Sequence, residues 1–166
     1  MNDDAANPKV KGVEGVLKTY RETTPLLDFW GPTHFSPFLK QINDQLTVIQ
    51  KDEKQENMKY TILLILTDGT VSDNKRVKQQ IIRASKLPVS IIIIGIGNPP
   101  DNFEFMRKLD ADKEPLVLRH KDGSMLYQTR DCVQFLACNE LKNDPEKITR
   151  ELLREIPDQI TAYFDG

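Results

Sequence analysis

The chain has 166 residues, of which 39% are hydrophobic and 29% charged, and its formal net charge is −2. A chain of this length can bury a hydrophobic core within one domain and needs no metal or disulfide to do so. The balanced charge is not that of a typical nucleic-acid-binding protein, and every apolar run is far shorter than the roughly 20 residues of a membrane-spanning helix.

The N-terminal part of the sequence predicts a flexible segment followed by two helices. Residues 1–11 are polar and lack the basic start and apolar stretch of a signal peptide, so we expect a cytoplasmic protein. Helical spacing then begins with four apolar residues: Val13, Val16, Leu17 and Tyr20. A second amphipathic helix is predicted from Pro37 to Ile49.

The middle of the chain predicts a strand, a crossover helix and a parallel strand. Residues 60–66 and 89–95 are apolar at successive positions, which is typical of strands buried on both faces of a parallel sheet. Between them, Val77 and Ile81 fall on one helical stripe, and Pro88 ends the helix. The sequence therefore predicts an α/β domain with a mostly parallel sheet flanked by helices.

The C-terminal third predicts weaker elements. They are a short helix over 103–109, a polar connection over 110–130 and a third strand over 132–137. Asp144 before Pro145 is typical of a helix N-terminus, and Pro157 should interrupt that helix. We expect Cys132 and Cys138 to be reduced thiols of the core.

The predicted sheet has too few strands. The strand over 60–66 is too apolar to be an exposed edge, yet the upstream sequence offers no strand to pair with it. We therefore expect that part of the sheet is missing from this chain, or that a homodimer forms through the open sheet edge.

Asp68 is the candidate functional residue that the local sequence indicates. It directly follows the strand over 60–66, and ligands of open α/β sheets bind at the carboxyl ends of the strands. A carboxylate there suits a hard cation, with hydroxyl help from Thr67 or Thr70. Three explanations stay open: a simple Asp-Gly turn, a metal site, and a small α/β metal-dependent hydrolase in which Asp68 is a base or metal ligand.

Seven segments, taken together, resemble one protein family. They are residues 7–8, 12–20, 27–37, 60–69, 83–97, 130–135 and 155–160. In this order they resemble the copines, specifically the von Willebrand factor A-like domain at their C-terminal end. The resemblance covers nearly the whole chain. It implies a Rossmann-like fold of the von Willebrand factor A type, with residues 12–166 as a partial domain that lacks its N-terminal strands, including the central one.

The same resemblance implies a metal-ion-dependent adhesion site. Asp68, in Thr-Asp-Gly after a buried strand, matches the aspartate of the third motif, and Thr33, in Gly-Pro-Thr, matches the hydroxyl ligand of the second. The first motif, Asp-x-Ser-x-Ser, has no match in the required order. We therefore expect a partial site for Mg²⁺ or Mn²⁺, which leaves a coordination position for an acidic group of a protein partner.

The function that the resemblance implies is a non-catalytic protein-interaction module. Full-length relatives bind phospholipid in a calcium-dependent way, so membrane recruitment is expected only through domains absent from this chain. An alternative within the family is the copine-like domain of a RING ubiquitin ligase, although the sequence has no paired Cys/His spacing for zinc. The alternative from another class is the small hydrolase that uses Asp68.

Overall fold

The computed structural model describes residues 8–28, 30–52, 59–99, 101, 103–111, 114–120, 122–142 and 144–165. The chain divides into two compact units, Met1–Pro32 and Thr33–Gly166. The first unit contains helix α1 (Gly12–Thr23), which confirms the first predicted helix, and a short 3-10 turn over Thr24–Leu26.

The second unit is an α/β domain, as predicted. Its elements in chain order are α2 (Ser36–Asp52), β1 (Thr61–Thr67), α3 (Asn74–Ala84), β2 (Val89–Gly95), α4 (Glu104–Leu109), β3 (Val117–Arg119), β4 (Met125–Tyr127), β5 (Val133–Ala137), α5 (Pro145–Leu153) and α6 (Ile156–Phe164). Strands β1, β2 and β5 form a parallel sheet in the order β1-β2-β5, and β3 pairs with β4 in an antiparallel hairpin. Within the described ranges, no helix is both long and apolar enough to cross a membrane.

Helices cover both faces of the central strand. On the first face, α2, α3 and α4 enclose the larger core, in which Ile91 and Ile93 of β2 are almost fully buried. On the second face, Ile92 of β2 packs against Leu152 of α5 and Ile156 of α6. Strand β2 is therefore buried on both faces, as the apolar run of its sequence predicts.

Strand β1 is covered on the first face only. The row formed by Ile62, Leu64 and Leu66, which we call the outer row, is 52%, 55% and 61% exposed. These side chains lie beside Ser90, Ile92 and Ile94 of β2 on the second face. Because α6 packs on β2 and α5 on β5, the helical layer ends before β1. The prediction that this strand is buried on both faces is therefore wrong for the second face.

The residues of the outer row also form the free edge of β1, which is the edge that faces away from β2. Thr61 N–H donates to Pro88 O at 2.8 Å, and Thr67 O accepts from Ile96 N–H at 2.8 Å, so the odd-numbered residues face β2. The main-chain groups of residues 62, 64 and 66 point the other way because parallel strands alternate. No strand pairs with this edge in the part of the chain that the structure describes.

The hairpin β3–β4 is an element that the sequence did not predict. It lies within the polar stretch 110–130, where His120 N–H donates to Ser124 O at 2.8 Å across the turn. The hairpin attaches to the first-face core through Leu116 and Leu118, which are buried. Strands of three residues are too short for an alternating pattern to stand out from a polar loop.

Arg130 ties together the amino-terminal end of the sheet. Its guanidinium donates to Leu87 O at 2.6 Å and to Val89 O at 2.7 Å, at the start of β2. It also lies over the rings of Tyr60 and Tyr163, 5.9 Å and 5.4 Å from their centroids. Charge-assisted hydrogen bonds and cation–π contacts from one side chain thus join the approach to β1, the start of β2 and helix α6.

The two thiols should differ in reactivity. Cys132 is fully buried, and burial raises the pKa of its thiol to about 12, whereas Cys138 is partly exposed. Since the thiolate is the reactive form, we expect iodoacetamide at pH 8 to modify Cys138 in the native protein and both cysteines in urea. Mass spectrometry of the peptides measures this. Rapid native labelling of the Cys138→Ser variant would contradict the burial of Cys132.

Candidate functional site

The candidate site includes the loop between the end of β1 and the start of α3. We call it the carboxyl edge, defined as residues 33–36 and 67–73. Its two segments are far apart in sequence but adjacent in the structure. A hydrogen bond joins them, in which Ser72 N–H donates to Thr33 O at 2.9 Å. The segments that the sequence analysis assigned to the second and third motifs therefore meet at one edge of the sheet.

Asp73 holds the two segments of the carboxyl edge together. Its carboxylate accepts hydrogen bonds from Phe35 N–H at 3.1 Å and from Ser36 N–H at 2.9 Å, and so caps the start of α2. Burial opposes ionisation of this group, but hydrogen bonds from the Ser36 hydroxyl and the two amides outweigh it. The pKa of the Asp73 carboxyl is therefore below its ordinary value.

This role of Asp73 is not apparent from the local sequence. The capping residue lies 37 positions after Ser36, the first residue of the helix that it caps, whereas sequence signals for helix starts are local. Helix α2 begins at Ser36, and the residue before it, Phe35, has no side chain that could cap the helix. This lack of a capping residue at the preceding position was a sign in the sequence that a distant group caps α2.

The turn after β1 rests on an aromatic ring. Thr67 Oγ1 accepts a hydrogen bond from Gly69 N–H at 3.1 Å, and Gly69 has a φ of 112°. A Cβ atom would lie 2.8 Å from the Phe103 ring at Gly69 and 2.7 Å from it at Gly95. Glycine at these two positions lets the buried Phe103 ring support the carboxyl edge from below. The Thr67 hydroxyl, expected as a possible ligand, thus takes part in the turn.

Asp68 and Thr33 project from the carboxyl edge into solvent. Both residues are exposed, and neither side chain forms a hydrogen bond or ion pair with another described residue. The Asp68 carboxylate and the Thr33 hydroxyl are therefore free to bind a cation. Of the other hydroxyl residues in this loop, Thr70 and Ser72 are exposed too.

The donors of the carboxyl edge fit part of a Mg²⁺ shell. Mg²⁺ takes six oxygen ligands and is commonly held by one or two carboxylates together with water. The free carboxylate here is Asp68, since Asp73 caps α2. Nowhere in the described ranges do three or more His, Cys, Asp or Glu side chains gather as a metal cluster. Metal binding by Thr33 and Asp68 stays a prediction.

No nucleophile with an adjacent base is formed at the carboxyl edge by the described residues. His34 adjoins Thr33 and is exposed, and no hydrogen bond links it to Asp68.

Comparisons with known proteins agree on one family. The family model described as Copine matches residues 1–166. Copine-E of Dictyostelium discoideum is 39% identical over 157 residues, which are 94% of this chain and 26% of that protein. Copine-A of the same organism is 38% identical over 164 residues, 99% of this chain and 26% of the relative.

A third relative carries a different name. Nicotinic receptor-associated protein 1 of Caenorhabditis briggsae is 40% identical over 170 residues, which cover 95% of this chain and 25% of that protein. The chain thus spans about a quarter of the length of the curated relatives that it matches. The three-stranded parallel sheet flanked by helices agrees with the α/β fold expected for such a domain.

Asp73 and Asp68 should contribute differently to stability. We expect Asp73→Ala to lower the free energy of unfolding by about 1–2 kcal/mol, because α2 loses its cap. Asp68→Ala, which removes an exposed and unbonded carboxylate, should change it by less than about 0.5 kcal/mol. Urea unfolding of both variants measures the difference. Equal losses would contradict the assignment of the cap to Asp73.

The contribution of Asp73 should depend on pH. Because the folded pKa of Asp73 is lowered, its stabilisation is fully present above its unfolded pKa of about 3.9. It is lost as the pH falls through the folded value. The gap in unfolding free energy between the wild-type chain and Asp73→Ala should therefore narrow in acid, and an unchanged gap at low pH would contradict the role of the carboxylate.

Proposed function

This chain belongs to the copine family, and we propose on that premise that it is a non-catalytic module that binds an acidic group of a partner protein at its carboxyl edge, with the help of Mg²⁺ or Mn²⁺. Family membership supports protein interaction as the general function. The residues proposed to hold the cation are Thr33 and Asp68.

The observation that supports the proposal is the convergence of two separate segments. Ser72 bonds the main chain of Thr33, and Asp73 bonds the start of α2, so the segments of Thr33 and Asp68 are held side by side. When bound, the cation would supply a Lewis-acidic centre with open positions for a partner carboxylate. Asp68 would provide the anionic ligand and Thr33 a neutral one, while Asp73 would keep both segments in place.

The identity of the partner is proposed only as a class. One relative is named for association with a nicotinic receptor, and we extend to this chain only that the partner is a protein. Calcium-dependent phospholipid binding and the recruitment of a cytoplasmic protein to membranes are proposals for a complete protein, since the chain spans about a quarter of its relatives. The RING ligase alternative would likewise need a zinc module beyond these residues.

We also propose that two copies associate through the free edge of β1, because one observation favours it. The outer row exposes three large apolar side chains, and the free main-chain groups belong to the same residues. The strand sequence, TILLILT, contains none of the lysines or prolines with which natural proteins protect sheet edges. A second copy would present an identical strand, so one symmetric contact would satisfy both edges.

Cation binding is best tested by paramagnetic broadening, which detects weak and local sites. In two-dimensional amide spectra, Mn²⁺ should broaden the signals of residues 33–35 and 68–72 first, and Asp68→Asn should abolish that preference. Asp122→Asn is the matched control, because Asp122 is an exposed carboxylate on the hairpin turn. If broadening is equally strong at other surface carboxylates, or is unchanged in Asp68→Asn, the proposed site is wrong. Turnover of a phosphoester that depends on Asp68 would favour the hydrolase alternative instead.

Self-association is tested by the mass of the chain in solution. We expect dimers in sedimentation equilibrium at micromolar concentration, and an increase of tenfold or more in the dissociation constant for Leu64→Lys, because a lysine in the outer row would replace apolar contacts with side chains of the paired strand on the same face. Val48→Lys is the matched control, since Val48 is also an apolar residue that is 60% exposed, but it belongs to α2 and not to β1. A monomeric wild-type chain, or equal effects of the two variants, would contradict the dimer.

A further inference from the structure

A groove with positively charged walls lies between helix α3 and the β3–β4 hairpin. Two adjoining cavities of about 390 Å³ and about 460 Å³ share Gln79 and His120 in their walls. The first extends to Arg83 and Lys86 at the C-terminal end of α3, and the second to Lys75 and Arg76 at its N-terminal end. Together they run along the length of the helix.

The positive charge of this groove arises because charged residues are unevenly distributed along the chain. Helix α3 contains Lys75, Arg76, Lys78 and Arg83 but no acidic residue, and Lys86 follows it, whereas the whole chain has a net charge of −2. Like charges on one short helix repel one another, which is a cost to folding that binding of an anion would relieve.

Three of the cations that line the groove have no ionic partner within the described ranges. Arg83 pairs with Asp44 of α2 at 2.6 Å, and Lys40 shares the same carboxylate. Lys75, Arg76 and Lys86 form no such pair among the described residues. Among the described residues that line the two cavities, Asp122 is the one acidic side chain, and it accepts hydrogen bonds from the Ser124 amide and hydroxyl.

Apolar residues line the first of the two cavities. They are Ile82 of α3 and Leu126 of β4, and Leu126 is only partly buried. The 11 residues of α3 span about 16 Å, which matches about five residues of extended peptide. Gln79, at the middle of the groove, can hydrogen-bond the main chain of such a peptide.

From these features we infer that the groove between α3 and the hairpin binds an acidic peptide segment of a partner protein, with one apolar side chain against Leu126 and Ile82. Charge complementarity identifies the occupant: acidic side chains meet Lys75 and Arg76 at one end and Lys86 at the other. A recess with an apolar patch in one of its two cavities fits a peptide better than the flat headgroup array of a membrane. This binding needs neither the cation nor the free edge of β1.

Fluorescence anisotropy with a labelled peptide tests the proposal. The probe has a leucine flanked by aspartate and glutamate, and its counterparts replace the acids by amides or the leucine by glycine. We expect the Lys75→Gln/Lys86→Gln double variant to weaken binding of the acidic probe about fivefold at low salt, as two exposed charge contacts would. Added NaCl should weaken the wild-type complex because it screens these charges.

A matched double variant controls for net charge. Lys51→Gln/Lys142→Gln removes two exposed lysines outside the groove and should leave the affinity within about twofold of the wild-type value. Replacing the leucine of the probe by glycine should weaken binding to the wild-type chain, and Leu126→Ala should remove that preference. Thermal unfolding of each variant confirms that it is folded.

Three results would overturn the inference. The first is an equal loss of binding in the two double variants, which would indicate non-specific attraction. The second is equal affinity for the leucine and glycine probes. The third is binding to phosphatidylserine vesicles that depends on Lys75 and Lys86 while the peptide does not bind, which would make this face a membrane contact.

Discussion

The carboxylate of Asp73 is the interaction on which the functional half of the structure depends. It stands at the end of the loop after β1 and directly before α3, and it bonds the first amides of α2. One side chain therefore sets the distance between two neighbouring helices and the loop that carries Asp68. Because an ionised carboxylate at a helix N-terminus gains from both hydrogen bonds and the helix dipole, it can hold two loops without any covalent link.

A second constraint is that helices cover the two faces of the sheet unequally. Helices α2, α3 and α4 cover the first face, whereas α5 and α6 cover only β2 and β5 on the second. Strand β1 is consequently covered by helices on its first face, its complete side, whereas its second face and free edge, its open side, have no cover from the described residues. The complete side positions the carboxyl edge, and the open side supplies the apolar and main-chain groups proposed to bind a second copy. The two proposed functions of β1 thus use opposite properties of one strand.

Strong local patterns made much of the fold predictable. The apolar runs of β1 and β2 predicted their parallel pairing, and Asp144 before Pro145 predicted a helix start, where the Asp144 carboxylate accepts from the amides of Glu146 and Lys147. The residues whose roles depend on distant neighbours were not predictable in this way. A periodic pattern reports the environment that a strand favours, so it could not reveal that the outer row of β1 has no cover.

In the candidate site, too, local patterns revealed some residues, whereas roles that depend on distant neighbours were missed. Asp68 and Thr33 were found from local motifs and the family resemblance, and their segments do meet in space. Asp73 was missed because it acts over 37 positions of sequence. The basic groove was also missed, since its lysines and arginines are dispersed along α3 and a groove exists only once the hairpin packs beside that helix.

The clamp formed by Arg130 has a consequence for how the domain responds to its surroundings. A guanidinium keeps its charge over the whole pH range in which proteins fold, so the amino-terminal end of the sheet is held by bonds that protons do not remove. The opposite end is held by a carboxylate, which protons do remove. Acidification therefore weakens the contacts that hold the segments of Asp68 and Thr33 together, while the Arg130 hydrogen bonds at the other end of the sheet keep their charged donor.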